Sequence, residues 1–250
     1  MLAFARETRL SETTFVQSAT RPGADYRNRI FTTAGELPFA GHPSLGTAVA
    51  VARVRGVQQA RYVQQTAAGL QPVEVELDGD RARATMLQEP PVFGPQPRPA
   101  DVMAAAGLTA ADAHAQLPAQ VVSTGVAHLI APVRDTEVLG RPAPTRAALE
   151  ALLEPLGAVV LYLVAADPQA GTAQARGFFL DPGATKEDPA TGSAAGPLLA
   201  YLREREGVTE LIVHQGAEMG RPSRIDCVWA DDRPRVSGDL VVVADGHVSL

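Results

Sequence analysis

Two stretches of this sequence share one design, and that repeat limits what the chain can fold into. The first is Glu36-Leu37-Pro38-Phe39-Ala40-Gly41-His42-Pro43-Ser44-Leu45-Gly46-Thr47-Ala48. The second is Lys186-Glu187-Asp188-Pro189-Ala190-Thr191-Gly192-Ser193-Ala194-Ala195-Gly196-Pro197. A strand-like run precedes each, Tyr26 to Thr33 and Ala173 to Leu180. A helix-like run follows each, Ser44 to Val54 and Ala194 to Arg203. The matching dipeptides Ala40-Gly41 and Thr191-Gly192 lie 151 residues apart (191 − 40). That period is too long for a solenoid and reads as a duplication into two similar halves. In each half, a turn of small residues leaves backbone N–H groups unpaired at a helix start. Together with the positive end of the helix dipole, those donors suit an anion such as a carboxylate. Small side chains let the ligand approach the backbone. The Glu187-Asp188 pair suits such a site only if it orients a ligand amine or hydroxyl. The plainer reading of either stretch is an N-capped helix after a polar loop.

Composition narrows the setting. A chain of 250 residues fits one large domain or two small ones. Hydrophobic residues make up 46% of it, enough for real cores, without a run long enough to span a membrane. The start, Met1-Leu2-Ala3-Phe4-Ala5-Arg6-Glu7, turns charged too early for a secretory signal, so a cytoplasmic protein is expected. A net charge of −6 argues against a nucleic-acid surface. The single cysteine, Cys227, excludes an internal disulfide and a Cys-rich zinc site. The five histidines (His42, His114, His128, His214, His247) lack metal-ligand spacing, so no metal site is expected. Lys186 is the only lysine; a pyridoxal phosphate enzyme would need its Schiff base there, whereas a solvated loop residue is the simpler reading.

Taken in order, residues 2–10 read as a helix with Leu2, Phe4, Ala5 and Leu10 as its apolar positions. A β-rich segment begins at Thr14-Phe15-Val16. Val73-Val75-Leu77 and Ala82-Ala84-Met86 flank Asp78-Gly79-Asp80, a hairpin signal. The Pro-rich run 89–99 reads as a stiff linker, which places a boundary between halves at 1–98 and 99–250. Beyond it come a short helix from Pro99 to Leu108, then two short strands within Ala119 to Val133. Thr145 caps a helix to Leu156 with Leu149, Leu152, Leu153 and Leu156 on one face. Strands follow at Val159–Ala165, 173–180, 211–213, 225–229 and 235–243, and a final short strand closes the chain. Strands outnumber helices and each half holds one long helix. The expected class is α+β, a mostly antiparallel sheet wrapped round a central helix in each of two domains.

No Gly-x-Ser-x-Gly elbow, Walker loop or dinucleotide fingerprint is present. Glu12, among Ser11, Thr13 and Thr14, is either an idle exposed carboxylate or one held by hydrogen bonds that can take and return a proton. His42 at the first helix start is either structural or a donor to a substrate group. Asp188 either accepts from a substrate amine or hydroxyl or caps its turn.

Leu10-Ser11-Glu12-Thr13-Thr14-Phe15-Val16, Glu36 to Ala48, Glu187 to Leu198 and Gln215 to Ser223 resemble, in order and spacing, the phenazine biosynthesis PhzF-like isomerase family. The match runs over nearly the whole chain. It implies a diaminopimelate epimerase-like fold of two pseudo-symmetric domains, an active site in the cleft between them, no metal or organic cofactor, and a homodimer. By resemblance Glu12 matches the carboxylate that removes and redelivers the proton. His42 and Asp188 match residues that hold and polarise substrate, while Ser11, Gly41, Gly192 and Ser193 match its binding contacts. The epimerase relatives carry one cysteine in each half at the turns where this chain has Ala40 and Ala190. A two-thiol racemisation therefore lacks its nucleophiles, and a one-carboxylate proton shift is expected instead. Family members carry roughly thirty further residues upstream, a strand pair and the start of a helix on ordinary element lengths. A version extended upstream is expected to melt higher than this one. The reading is a cofactor-independent isomerase acting on a small carboxylate-bearing cyclic or unsaturated substrate. The rivals are an inactive small-acid-binding protein and an amino-acid racemase or epimerase.

Overall fold

The structure is a computed structural model and describes residues 1–181 and 184–247. The chain forms two compact units, Met1–Leu87 with Ser237–Leu250, and Gln88–Val236. Where the sequence places a boundary after residue 98, the contacts divide at 87/88 and return the end of the chain to the first unit.

The first unit runs α1 (Leu2–Thr8), β1 (Thr13–Gln17), β2 (Tyr26–Phe31), β3 (Glu36–Leu37), α2 (Gly41–Arg55), β4 (Gln59–Thr66), β5 (Gly69–Asp78) and β6 (Arg81–Leu87). The sheet order is β1-β2-β4-β5-β6, with β3 on β2. Its strands alternate: Tyr26, Ile30, Tyr62, Val73, Val75, Ala84 and Met86 point to one face and are buried. That face meets Leu45, Ala48, Val49 and Ala52 of α2. Pro43 in the first turn suits a helix start, and Gly56, at φ 67°, ends the helix in the left-handed conformation. Phe15 of β1 stacks edge-on between Phe4 of α1 and Phe31 of β2.

The second unit runs β7 (Val92–Phe93), α3 (Pro99–Ala105), β8 (Gln120–Ser123), β9 (Ala127–Pro132), α4 (Thr136–Leu139), α5 (Arg146–Leu156), β10 (Val160–Asp167), β11 (Thr172–Asp181), β12 (Ala184–Asp188), α6 (Gly192–Glu206), β13 (Glu210–Gln215) and β14 (Ser223–Ala230). The last strand, β15 (Arg233–Val241), gives its first residues to this unit and its remainder to the first. The strand order is β14-β13-β11-β10-β9-β8-β7, with β12 on β11. Val160, Tyr162 and Val164 of β10 enter the core around α6, while Leu161 and Leu163 enter a second core with α3 and α5. β10 is thus covered on both faces, which is why it reads as an unbroken apolar run. Every residue of α6 from Ala194 to Leu202 is buried, as expected of a helix apolar all round. The fold is α+β of the diaminopimelate epimerase-like kind, with a mostly antiparallel sheet around one long helix in each unit.

The repeat seen in the sequence has a structural counterpart. β2 turns into β3, enters α2 and returns as β4, parallel to β2. β11 turns into β12, enters α6 and returns as β13, parallel to β11.

Several local expectations change. The first helix stops at Thr8, where Arg9 adopts φ 52°, so Leu10 is exposed rather than packed. β4 and β12 had no clear signal; Lys186, Glu187 and Asp188 lie on β12, not in a loop. Hydrogen bonding to β11 overrides the polar composition there. Lys186 pairs with Asp181 at 2.5 Å and stays half exposed. Residues 244–247 are not strand, and the rest of the expected closing strand lies outside the described residues. Among the described residues no helix is long and apolar enough to cross a membrane.

Candidate active site

In the first unit the structure brings Glu12 and His42 together. Glu12 sits between α1 and β1; His42 is the second residue of α2. The His42 Nε2 and Glu12 Oε2 atoms are 3.0 Å apart. With the carboxyl ionised, the ring N–H is the donor. The Glu12 side chain is largely covered (18% exposed) and that of His42 half open (48%). Burial acts to raise the Glu12 pKa. The hydrogen bond and charge of His42, with a further bond from the Ser11 hydroxyl, outweigh it and hold the carboxyl below its usual range. The carboxylate is therefore ionised at neutral pH and can accept a proton. Behind it, the Thr47 hydroxyl donates to the Pro43 carbonyl at 2.7 Å and lies 2.8 Å from the Thr14 hydroxyl, which ties β1 to the first turn of α2. The residue preceding the helix, Ala40, offers no side-chain cap, so the first donors, including Gly41 N–H, precede the intrahelical ladder.

In the second unit the corresponding turn carries Asp188, Gly192 and Ser193. Asp188 ends β12; its carboxylate accepts from Thr191 Oγ1 at 3.0 Å and from the Ala190 N–H at 3.3 Å. The N–H groups of Ala194 and Ala195 turn back to the Thr191 carbonyl. Those of Gly192 and Ser193 come ahead of that ladder, aimed out of the helix start. Gln88 supports this turn from behind, donating to the Gly192 carbonyl at 3.0 Å and accepting from Thr124 at 2.6 Å. His128 of β9 is fully buried, with the Ser193 backbone beside its ring. Burial drives its pKa down to about 4, and the Ser193 backbone, which favours the charged ring, offsets only part of that. Pro197 has no N–H to give the Ser193 carbonyl four residues earlier.

The structure also shows contributors that the sequence reading passed over. Thr14 and Thr47 brace the first site; Gln88, His128, Tyr162 and Gln215 surround the second. For Gln215 a signal existed, since it opens the fourth motif. Thr14 and Thr47 likewise lie within the first two motifs, on β1 and in α2, whereas Gln88, His128 and Tyr162 are buried polar residues in a connector and on strands, outside every motif.

Among the described residues no cluster of three or more His, Cys, Asp or Glu could hold a metal. Cys227 lies in the core of the second unit, where burial first, and the charge of Asp226 second, push its thiol far up. A thiol in that state is a poor nucleophile.

The family model of phenazine biosynthesis-like proteins (PhzC-PhzF) matches residues 1–246. The chain belongs to that family. It is similar to the trans-2,3-dihydro-3-hydroxyanthranilate isomerase of Pseudomonas aeruginosa, at 34% identity over 100% of this chain and 88% of the relative. Among solved structures it is similar to a predicted epimerase from Pseudomonas aeruginosa, with a TM-score of 0.80 and 35% identity over 98% of this chain and 88% of that one. A probable proline racemase from Agrobacterium radiobacter K84 shares the fold alone, at a TM-score of 0.61 and 14% identity over 92% of this chain and 74% of that one. The chain is a PhzF-like isomerase.

Proposed function

We propose that this isomerase shifts a proton within a small carboxylate-bearing cyclic or unsaturated substrate, with Glu12 as its single acid and base. The observation that carries the reading is the 3.0 Å contact between His42 and Glu12 at the start of α2. A covered carboxylate kept ionised by a histidine and a serine hydroxyl can remove a proton and, once protonated, return it to another carbon of the same molecule. His42 and Asp188 hold and polarise the substrate. The Gly41 amide at the start of α2 and, in the other unit, the amides of Gly192 and Ser193 at the start of α6 offer donors suited to a carboxylate, and Ser11 is a further binding contact. The relative's substrate, trans-2,3-dihydro-3-hydroxyanthranilate, has the required chemistry and is the first probe. The same reading carries a cytoplasmic homodimer with it; light scattering giving the mass of one chain would remove the dimer.

The experiment is turnover of that probe in deuterium oxide by the unaltered chain and by Glu12→Gln. The expected result is a loss of turnover and of solvent deuterium incorporation of about 10²- to 10⁴-fold, the usual worth of a positioned general acid or base. Unchanged incorporation removes Glu12 from the mechanism.

A further inference from the structure

The fourth sequence motif, Gln215 to Ser223, has no part in the proton-shift reading, yet its residues surround one of the substrate-holding groups. Gln215 is the last residue of β13 and is 2% exposed. Its Oε1 accepts from the Thr191 N–H at 3.1 Å and from the Tyr162 hydroxyl at 2.9 Å. Its Nε2 donates to the Asp188 carbonyl at 2.6 Å and lies 2.8 Å from Thr191 Oγ1. The Thr191 hydroxyl in turn donates to Asp188 Oδ2. Ser223 Oγ lies 2.8 Å from the Pro189 carbonyl. The backbone and side chains of the turn 188–191 are therefore held on one side by a single buried amide and a serine.

Two glycines keep that cage open. Gly216 has φ +81°, and a Cβ there would lie 2.3 Å from the Arg221 carbonyl and 2.7 Å from that of Pro189. Gly177, paired across the sheet with Asp188, would put a Cβ 2.7 Å from Thr191 Oγ1. Neither position accepts a side chain without displacing the turn. Tyr162 is fully buried and makes its bond to the same amide. A buried array with both of the amide's polar atoms engaged fixes geometry more tightly than an exposed one.

We infer that Gln215, supported by Tyr162 and Ser223, is a positioning element that fixes the Asp188 carboxylate and the Gly192-Ser193 amides relative to one another. It touches no substrate and acts through the turn. The inference rests on the proposed role of Asp188, Gly192 and Ser193 as substrate contacts.

The test pairs two measurements on Gln215→Met and Tyr162→Phe. The first is amide hydrogen exchange read by mass spectrometry, which needs no substrate. For Gln215→Met, exchange across 188–195 should rise by about tenfold or more while 198–202 in the core of α6 changes less than about twofold. The second is turnover of trans-2,3-dihydro-3-hydroxyanthranilate, where kcat should fall by about 10- to 100-fold with KM within about threefold, the signature of a lost transition-state geometry. Tyr162→Phe removes one hydroxyl and should show the same pattern at about two- to fivefold; it decides the matter if Gln215→Met does not fold. Exchange unchanged in 188–195, or raised equally in both segments, overturns the inference. So does a kcat that stays level while only stability falls. If the unaltered chain does not turn over this probe, that substrate is rejected, while the exchange pattern still decides whether the clamp exists.

Discussion

The start of α2 and the start of α6 sit on the same frame of strand, short strand, helix and returning parallel strand, yet they are furnished differently. At α2 the polar pair is titratable and partly open: a carboxylate braced by a histidine that is 48% exposed. At α6 the bracing groups, Gln88, Gln215, Thr191 and Tyr162, are neutral and buried. A group that moves a proton changes charge, and a changing charge is expensive far from water or a partner. A group that only holds others in place keeps its charge state, and burial strengthens its hydrogen bonds. The two frames are alike, and on the proposed reading their side chains divide the work between them.

The largest effect that could break this contrast is kinetic. Glu12→Gln at α2 should lose about 10²- to 10⁴-fold in turnover, against about 10- to 100-fold for Gln215→Met at α6. Equal losses would mean that the two starts do not divide the work.

Next in size is a pH effect confined to the second unit. His128 is neutral when folded because its pKa is depressed from 6.5 to about 4. The unfolded chain takes up a proton there as the pH falls below about 6.5, and the folded chain does not until about 4. Stability is therefore full above that window and declines through it on acidification, by on the order of 3 kcal/mol in all. Urea unfolding of His128→Phe between pH 6.5 and 5 should lose most of that slope; an unaltered slope assigns the effect to other groups.

Smaller again is a pair of glycine substitutions in the second turns of the two helices, at the sixth residue of α2 and the fifth of α6. Gly196→Ala puts a methyl 1.8 Å from Gln88 Oε1 and must expel that side chain from Thr124 and Gly192. It should lower stability by about 1–3 kcal/mol. Gly46→Ala meets only a Leu240 methyl at 3.9 Å. It should raise stability by about 0.5–1 kcal/mol through helix propensity. Denaturant midpoints check both signs.

The smallest effect is a displaced limb of a pH–rate profile. His42 offsets the burial that raises the Glu12 pKa, so His42→Asn should move the acid limb of kcat/KM upward. A limb that does not move would show that His42 does not set the charge of Glu12.

Much of this was legible in the chain. The long helices, the hairpin of β5 and β6, and the Thr145 cap all carry local signals, because periodicity and turn chemistry act over a few residues. β4 and β12 were not legible. Gln59–Thr66 holds three glutamines and Ala184–Asp188 three charged residues or their neighbours in a polar run, and only ladder pairing makes them strands. At the site, Glu12 and His42 could be named as candidates from residue type and position, but 30 residues of separation hold no distance.

Sequence alone determined that two Gly-rich helix starts exist, that each follows a strand, and that neither carries a cysteine. It did so because such features are local, or are absences that a count settles. Tertiary structure alone decided that His42 meets Glu12, and that Gln215, 24 residues beyond Thr191, closes on the turn before α6. Those pairings depend on sheet register and on buried amides whose partners come from distant strands, and neither quantity is written in any short stretch of residues.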